Sequence, residues 1–365
     1  MARIVIDGRT LRDGSTGRYV ERLLIYLQQL DKTNDYVVLL KPEDMDSWQP
    51  DNKRFVKAAC GVKEYTFAEQ LAYPKLLKQH RPDLVHFIMT HQPILYRGRT
   101  VTTIHDLTTI RFYNRTTNWL VFKIKQVVYM AVTWIVARKS KQLITPTKFV
   151  KDDVAKFTHV KPGKITVTYE AADKLDAKAE SVKGLHPGKY IMYVGRPLPH
   201  KNLGRLLEAY KQLKQERPDL QLALVGKDHP LYDRFKQQVE AEDIKDVFFT
   251  GFASDGQLRW LYENTAAYVF SSLSEGFGLP ALEAMLYGAP VISSSATCLP
   301  EVYGEAAYYF NPLDIDDMAA KIAEVLDNKK LRQRLTEAGP AQAAKYSWKR
   351  MTEQTLEVYN KVLNT

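Results

Sequence analysis

Residues 271–293 read SSLSEGFGLPALEAMLYGAPVIS, and the fold is decided in this stretch. The apolar run AAYVFSS leads into a turn that holds Glu275, Gly276 and Gly278. A helix opens at once with LPALEAM, and GAP returns the chain to the apolar run VISSS. Strand, turn, helix and strand in that order belong to a parallel sheet wrapped by helices. Pro280 suits the first turn of the helix, and the glycines let backbone approach a ligand closely. The amides of Phe277, Gly278 and Leu279 are placed to bind an anion, and the carboxylates of Glu275 and Glu283 accept hydrogen bonds from hydroxyls. Anion-binding amides beside hydroxyl-binding carboxylates describe a nucleotide-sugar site. The competing reading is an ordinary acid in a helix's first turns, favoured by the macrodipole. That reading accounts for Glu283 and leaves Glu275 and the glycines without a role.

Working outward, the same alternation occurs twice. RIVIDG, DYVVLLK, DLVHFIM, TVTTIHD, QLITPT and KITVTY come first; YIMYVG, LQLALVG, VFFTGF, AAYVFSS and APVISSS follow. Between the two series lies AADKLDAKAESVKGLHPGKY, which is polar, carries Gly and Pro and has no apolar period. The expected organisation is α/β: two doubly wound Rossmann-like domains with a ligand-binding cleft between them. The boundaries are expected at 1–173 for the first domain, 174–189 for a linker, 190–345 for the second domain and 346–365 for a closing helix. A chain of 365 residues has room for two such cores.

Composition excludes disorder and fibrous folds, since 45% of residues are hydrophobic and 26% charged. The opening MARIVIDGRT reads as a strand and lacks an apolar signal core, and Cys60 and Cys298 are far apart with no metal-ligand spacing. Both observations point to a reducing, cytoplasmic setting. The charge is uneven. Residues 1–190 hold 32 Lys and Arg against 19 Asp and Glu, whereas the rest hold 20 against 23. Between His91 and Lys151, Arg97, Arg99, Arg111, Arg115, Lys123, Lys125, Arg138, Lys139, Lys141, Lys148 and Lys151 face one acid, Asp106. Such a half suits an anionic partner, whether nucleic acid, a membrane surface or a phosphorylated substrate, or is simply a solvated basic face.

In YVGRPLPHKNLGRLLEAY a strand ends at Gly195, Arg196 follows, and Lys201 stands at a helix start. Two fixed cations at the mouth of a sheet suit a diphosphate, although a helix-start Lys and an exposed Arg also occur without any ligand. His105 and Asp106 follow the strand VTTI, which puts them at a sheet's carboxyl end; a hydrogen-bonded structural histidine is the alternative for His105. For His86 and His91 the structural role is favoured over one on the acceptor side. Gly14 and Gly17 form a turn before a helix expected to begin near Arg18, where amides meet phosphate or acceptor. The apolar segment NWLVFKIKQVVYMAVTWIVARKSK has a longest uncharged run of 12 residues, Gln126 to Ala137. That is short of the roughly 20 needed to span a bilayer. It is expected to be a packed helix with basic ends or a helix whose basic flank rests on anionic lipid.

GRPLPHKN followed by SEGFGLPALEAMLYGAPVISSSATCLPEVYGEAAYYFNPLD resembles the donor-binding domain of the retaining GT-B glycosyltransferases of family 4. The resemblance extends to GSTGRY, TTIHDL, ITPTKFVKDDV, ITVTYEAAD and YSWKRMTEQTLEVYNKV, and so to most of the chain. It puts the family's paired glutamates on Glu275 and Glu283. It implies that Arg196 and Lys201 neutralise the donor diphosphate and that Glu283 holds the ribose hydroxyls. Glu275 would contact the donor sugar, with Phe277, Gly278 and Leu279 supplying amides, and His105 would reach the sugar from the first domain. Where relatives often read N-G-V-D, this chain has YEAAD, so that Glu170 stands in place of the usual Asn. CLPEVYGEAAYYFNPLD is most similar to the family's mannosyltransferases, which makes GDP-mannose the first donor expectation.

The expected chemistry is retaining transfer without a cofactor or metal. DMD at 44–46 and DID at 314–316 match D-x-D by letters only. The expected partners are a nucleotide-sugar donor, a glycan or lipid-linked acceptor and an anionic membrane at the cytoplasmic face. The rival readings are a UDP-sugar enzyme with a small soluble acceptor, a sugar-nucleotide epimerase, a glycosidase and a basic nucleic-acid-binding protein. A glycosidase also uses two carboxylates, but a neutral glycan has no need of paired cations. No nucleic-acid-binding motif is present.

Overall fold

The structure is a computed structural model and describes residues 1–64, 66–113 and 118–365. Of the basic run, Arg115 lies outside the described residues; every candidate site residue lies within them.

The chain divides into two compact units. The first comprises Met1–Ile110, Lys123–Glu170 and Ser347–Thr365, and the second Arg111–Phe122 and Ala171–Tyr346. The first unit is built on seven strands: β1 (Arg3–Asp7), β2 (Asp35–Leu40), β3 (Phe55–Ala59), β4 (Leu84–Phe87), β5 (Thr100–Thr103), β6 (Gln142–Thr145) and β7 (Ile165–Val167). All pair in parallel in the order β3-β2-β1-β4-β5-β6-β7. The second unit has six: β8 (Tyr190–Val194), β9 (Gln221–Val225), β10 (Val247–Gly251), β11 (Ala267–Phe270), β12 (Val291–Ser294) and β13 (Ala307–Phe310). These are also parallel, in the order β10-β9-β8-β11-β12-β13. Strand order therefore reverses between β1 and β4 in one sheet and between β8 and β11 in the other. These are the switch points at which open α/β sheets bind ligands.

Central strands of a parallel sheet are covered on both faces, so they read as unbroken apolar runs. β4, β11 and β12 are buried throughout. The two strands that sequence reading passes over, β3 and β13, lie at sheet edges. FVKAA is only partly buried and carries Lys57, and AYYF, which follows a short 3₁₀ turn, is only half-buried at its two tyrosines. Helix starts follow local chemistry. Thr147 and Ser347 each accept a hydrogen bond from the amide three residues on, and Ser254 with Gln257 forms a capping box.

Residues 174–189 pack on the second unit. Leu175 N donates to Tyr287 Oη at 2.5 Å, Glu180 N to Gly256 O at 3.0 Å, and His186 N to Gln221 Oε1 at 2.8 Å. The division falls at Glu170, earlier than composition places it, because polar side chains are no obstacle to backbone docking. The closing helix Trp348–Leu363 belongs to the first unit and lies against the helix Gly14–Leu30. Its Tyr359 hydroxyl is 2.6 Å from His86 Nδ1.

The long apolar segment is one helix, Trp119–Lys139. By length and composition it would reach across a membrane, a test that core helices of soluble folds also pass. Thr133, Val136 and Ala137 are buried, and Ala137 packs with Ile104, Leu107 and Leu143. Both cysteines are free and buried.

Candidate active site

β8 ends at Val194, Gly195 turns the chain, and Arg196 emerges exposed. The short 3₁₀ turn Pro199–Lys201 follows, closed by Asn202 in the left-handed region at φ +61°. This strained position is held by the Asn202 side chain, whose Nδ2 donates to Ser271 O at 3.1 Å and Pro312 O at 2.7 Å. Ser271 Oγ in turn donates to Lys201 O at 2.7 Å, and Leu273 N donates to His200 O at 2.7 Å. The loop after β8 is thus fastened to the loop after β11, across the switch point.

That fastening brings Lys201 Nζ to 2.6 Å from Glu275 Oε1, with the two side chains 19% and 12% exposed. Sequence reading gives them separate tasks, phosphate for one and sugar hydroxyls for the other; the structure makes them a pair. Glu275 N donates to Thr297 Oγ1 at 3.1 Å and Cys298 Sγ to Glu275 O at 3.3 Å, so the turn is held from β12's side as well.

Gly278 precedes the helix Leu279–Leu286 with φ +94°. A Cβ built there would lie 2.1 Å from Tyr303 Oη, which donates to Gly278 O at 2.6 Å. Backbone conformation and packing both demand glycine. Phe277 and Leu279 are buried, and the Phe277 ring meets Tyr346 edge-on at 5.4 Å. Glu283 is 4% exposed and accepts from Tyr262 Oη at 3.1 Å. A hydrogen bond to a buried carboxylate is worth about 1.5–3 kcal/mol, so Tyr262 fixes Glu283 in place. Sequence reading places Asn202 beside Lys201 at a helix start without a role, and misses Thr297, Tyr303 and Tyr262, because each acts through a partner more than 20 residues away in the chain.

In the first unit, His105 lies just past β5. Its Nδ1 is 3.2 Å from Glu170 Oε1 and its ring meets Tyr19 edge-on at 4.9 Å. Nε2 is buried without a hydrogen-bond partner among the described residues. Glu170, 4% exposed, thus occupies the imidazole's Nδ1 and leaves Nε2 as the free ring nitrogen. Asp106 Oδ1 accepts from Thr108 N at 2.7 Å, a local cap.

Gly17 does not sit in a turn before the helix, which begins at Gly14 and not near Arg18. The Gly17 amide donates to Asp13 O at 3.2 Å, and a Cβ there would stand 2.4 Å from Leu11 O. Its local task is to let the first helical turn press against residues 10–11. His86 is fully buried between Tyr359 Oη and Thr103 Oγ1, at 2.6 and 2.8 Å, and burial holds its pKa down to about 3. His91 is also buried, and burial lowers its pKa to about 4. Past β1 lies a network that sequence reading does not single out. Arg9, with no exposure, donates from Nε and Nη2 to the two oxygens of Asp7 at 2.8 and 2.7 Å and from Nη2 to Glu69 at 2.9 Å.

Among the described residues no group of three or more His, Cys, Asp or Glu is arranged to hold a metal. In DID, Asp314 caps the helix Ile315–Asp327 by accepting from Asp316 N and Asp317 N.

Two doubly wound parallel sheets, each with candidate groups at its strand ends, define the GT-B class. The group 1 glycosyl transferase model matches residues 176–342, and the glycosyltransferase family 4 model matches residues 16–174. The O-antigen chain mannosyltransferase B of Escherichia coli is 38% identical over 172 residues, 47% of this chain and 45% of that protein. The O-antigen chain mannosyltransferase RfbU of Salmonella typhimurium is 30% identical over 252 residues, 68% of this chain and 67% of that protein. The chain thus spans less than half the length of the first of these relatives. Sucrose-phosphate synthase from Thermosynechococcus elongatus shares the fold over the whole of both chains, with a TM-score of 0.80 and 18% identity. The chain belongs to the family 4 glycosyltransferases.

Proposed function

We propose that the protein is a retaining, metal-independent mannosyltransferase that moves mannose from GDP-mannose to a glycan or lipid-linked acceptor, working peripherally at the cytoplasmic face of an anionic membrane. The observation that carries the reading is the Lys201–Glu275 pair beside exposed Arg196 at the β8/β11 switch point. A cation and a carboxylate in contact there suit a ligand that is anionic at one end and hydroxylated at the other. Family membership and the mannosyltransferase relatives support the transferase class and the sugar.

Breaking the sugar–phosphate bond leaves charge on the departing diphosphate, and stabilising that charge is the largest electrostatic requirement. Arg196 and Lys201 supply fixed cations, and the Phe277–Leu279 segment at a helix start supplies backbone donors. Glu275 orients the sugar hydroxyls and Glu283 the ribose. In front-face transfer the acceptor oxygen bonds to the anomeric carbon on the side that the diphosphate leaves, and its proton passes to the departing phosphate oxygen.

Calorimetric titration with GDP, UDP and ADP in the presence of a chelator tests this. Saturable GDP binding is expected, weakened about tenfold or more by Lys201→Ala, since a charge-assisted contact is lost. Binding of UDP in preference to GDP would refute the donor. Loss of transfer in chelator, restored by Mg²⁺, would refute the metal-free mechanism.

A further inference from the structure

The helix Trp119–Lys139 has two apolar faces, and only one is used by the fold. Gln126, Thr133, Val136 and Ala137 are buried, and Gln126 Nε2 donates to Ile110 O at 2.6 Å. On the opposite side Leu120, Ile124, Val127, Ala131 and Trp134 are exposed, at spacings of four, three, four and three residues. Those spacings form one stripe along a helix, about 21 Å long. Leu120, Ile124 and Val127 are 60%, 59% and 64% exposed. Exposure of this order in consecutive turns is unusual for a surface that faces only water.

The stripe has neighbours of the same character. Lys139 Nζ donates to Pro93 O and Ile94 O, both at 3.0 Å, which ties the loop carrying exposed Leu95 to the helix's carboxyl end. Gln70 Oε1 accepts from Ile94 N at 2.8 Å, and the helix that holds Gln70 exposes Phe67 and Leu71 one turn apart. The charge along the helix itself has one sign. Lys123 is exposed beside it, and Arg138 ends it with its guanidinium 3.5 Å from the centre of the Trp134 ring. The segment from Trp119 to Lys139 contains no acid at all.

We infer that this stripe is the protein's membrane-docking surface, lying in the interface of an anionic bilayer with its aliphatic side chains among the acyl chains and Lys123 and Arg138 at the headgroups. Trp134, at the stripe's carboxyl end, suits the depth at which one edge is apolar and the other wet. A second copy of the chain fits less well: residues 1–190 carry 32 basic against 19 acidic groups, so two such faces would repel. The buried opposite face keeps the helix parallel to the surface and does not let it cross. This inference deepens the peripheral placement proposed above and is independent of the donor's identity.

Co-flotation of the whole chain with vesicles of phosphatidylcholine, with and without phosphatidylglycerol, tests it. The wild type is expected to float with the anionic vesicles, less so as salt rises. The double variant Ile124→Glu, Val127→Glu is expected to lose at least about tenfold in partitioning, since two inserted aliphatic groups become anions. Its melting temperature and nucleotide titration should match the wild type, because both positions are exposed. If wild type and variant float equally, the stripe is not the docking surface, although the peripheral placement stands. If the wild type does not float at all, both fail while nucleotide binding still reports on the transferase reading. A wild-type dimer dissolved by the same substitutions, with no flotation, would make the stripe a self-interface and overturn the inference.

Discussion

The two units share a sheet order, yet the ends of their central strands are furnished differently. Past β8 and β11, Arg196 is exposed, and Lys201 and Glu275 form an ion pair in which both side chains stay partly exposed. Past β1, Arg9 is fully buried and already compensated by Asp7 and Glu69. A salt bridge of the second kind is costly to open, because removing one partner strands a buried charge. One of the first kind, with both groups partly exposed, can exchange a partner for a ligand. The same topology thus carries a candidate site in one unit and a buried ion-pair network in the other, and residual exposure of the charges makes the difference.

That comparison breaks most easily at Glu275. Glu275→Ala is expected to lower transfer at least about 100-fold, with an unchanged melting temperature. Nucleotide affinity should persist or rise, because Lys201 loses its carboxylate. Undiminished transfer, measured as kcat/KM, would remove Glu275 from the site. A smaller effect is expected in the first unit at Glu170, which positions His105. Glu170→Ala should cost about tenfold in kcat with little change in the donor KM, and Glu170→Gln, which keeps an acceptor for Nδ1–H, should recover most of it. Equal losses for both variants would show that charge, not positioning, is what Glu170 supplies.

Outside catalysis, the contrast is sharpened by a histidine whose role is structural. Burial holds His86 at about 3 against an ordinary 6.5, so between these values the unfolded chain binds the proton and the folded one does not. This group's contribution to stability is fully present above pH 6.5 and is lost as pH drops towards 3. His86→Gln should flatten that part of the profile in thermal melts across pH 3–7. A variant whose melting follows the wild-type slope would mean that other groups carry the acid sensitivity.

The second unit's candidate site was legible because its groups fall in two short runs, GRPLPHKN and SEGFGLPALEAM, each at a strand end. The first unit's arrangement was not. His105 and Glu170 are 65 residues apart, and His86 and Tyr359 are 273 apart. Gly17 was visible as a glycine next to a helix, but whether its amide serves a ligand or Asp13 depends on where the helix begins.

The alternating apolar runs, the Gly and Pro punctuation and the carboxylate in a glycine turn were determined by sequence alone. Central parallel strands must be apolar on both faces, and tight strand-to-helix turns admit few residues. Tertiary structure alone decided the pairings. β11 lies beside β8 although β9 and β10 intervene in the chain, and only that neighbourhood brings Lys201 to Glu275 across 74 residues. It also decided which face of the Trp119–Lys139 helix the rest of the chain leaves uncovered, since both faces are apolar.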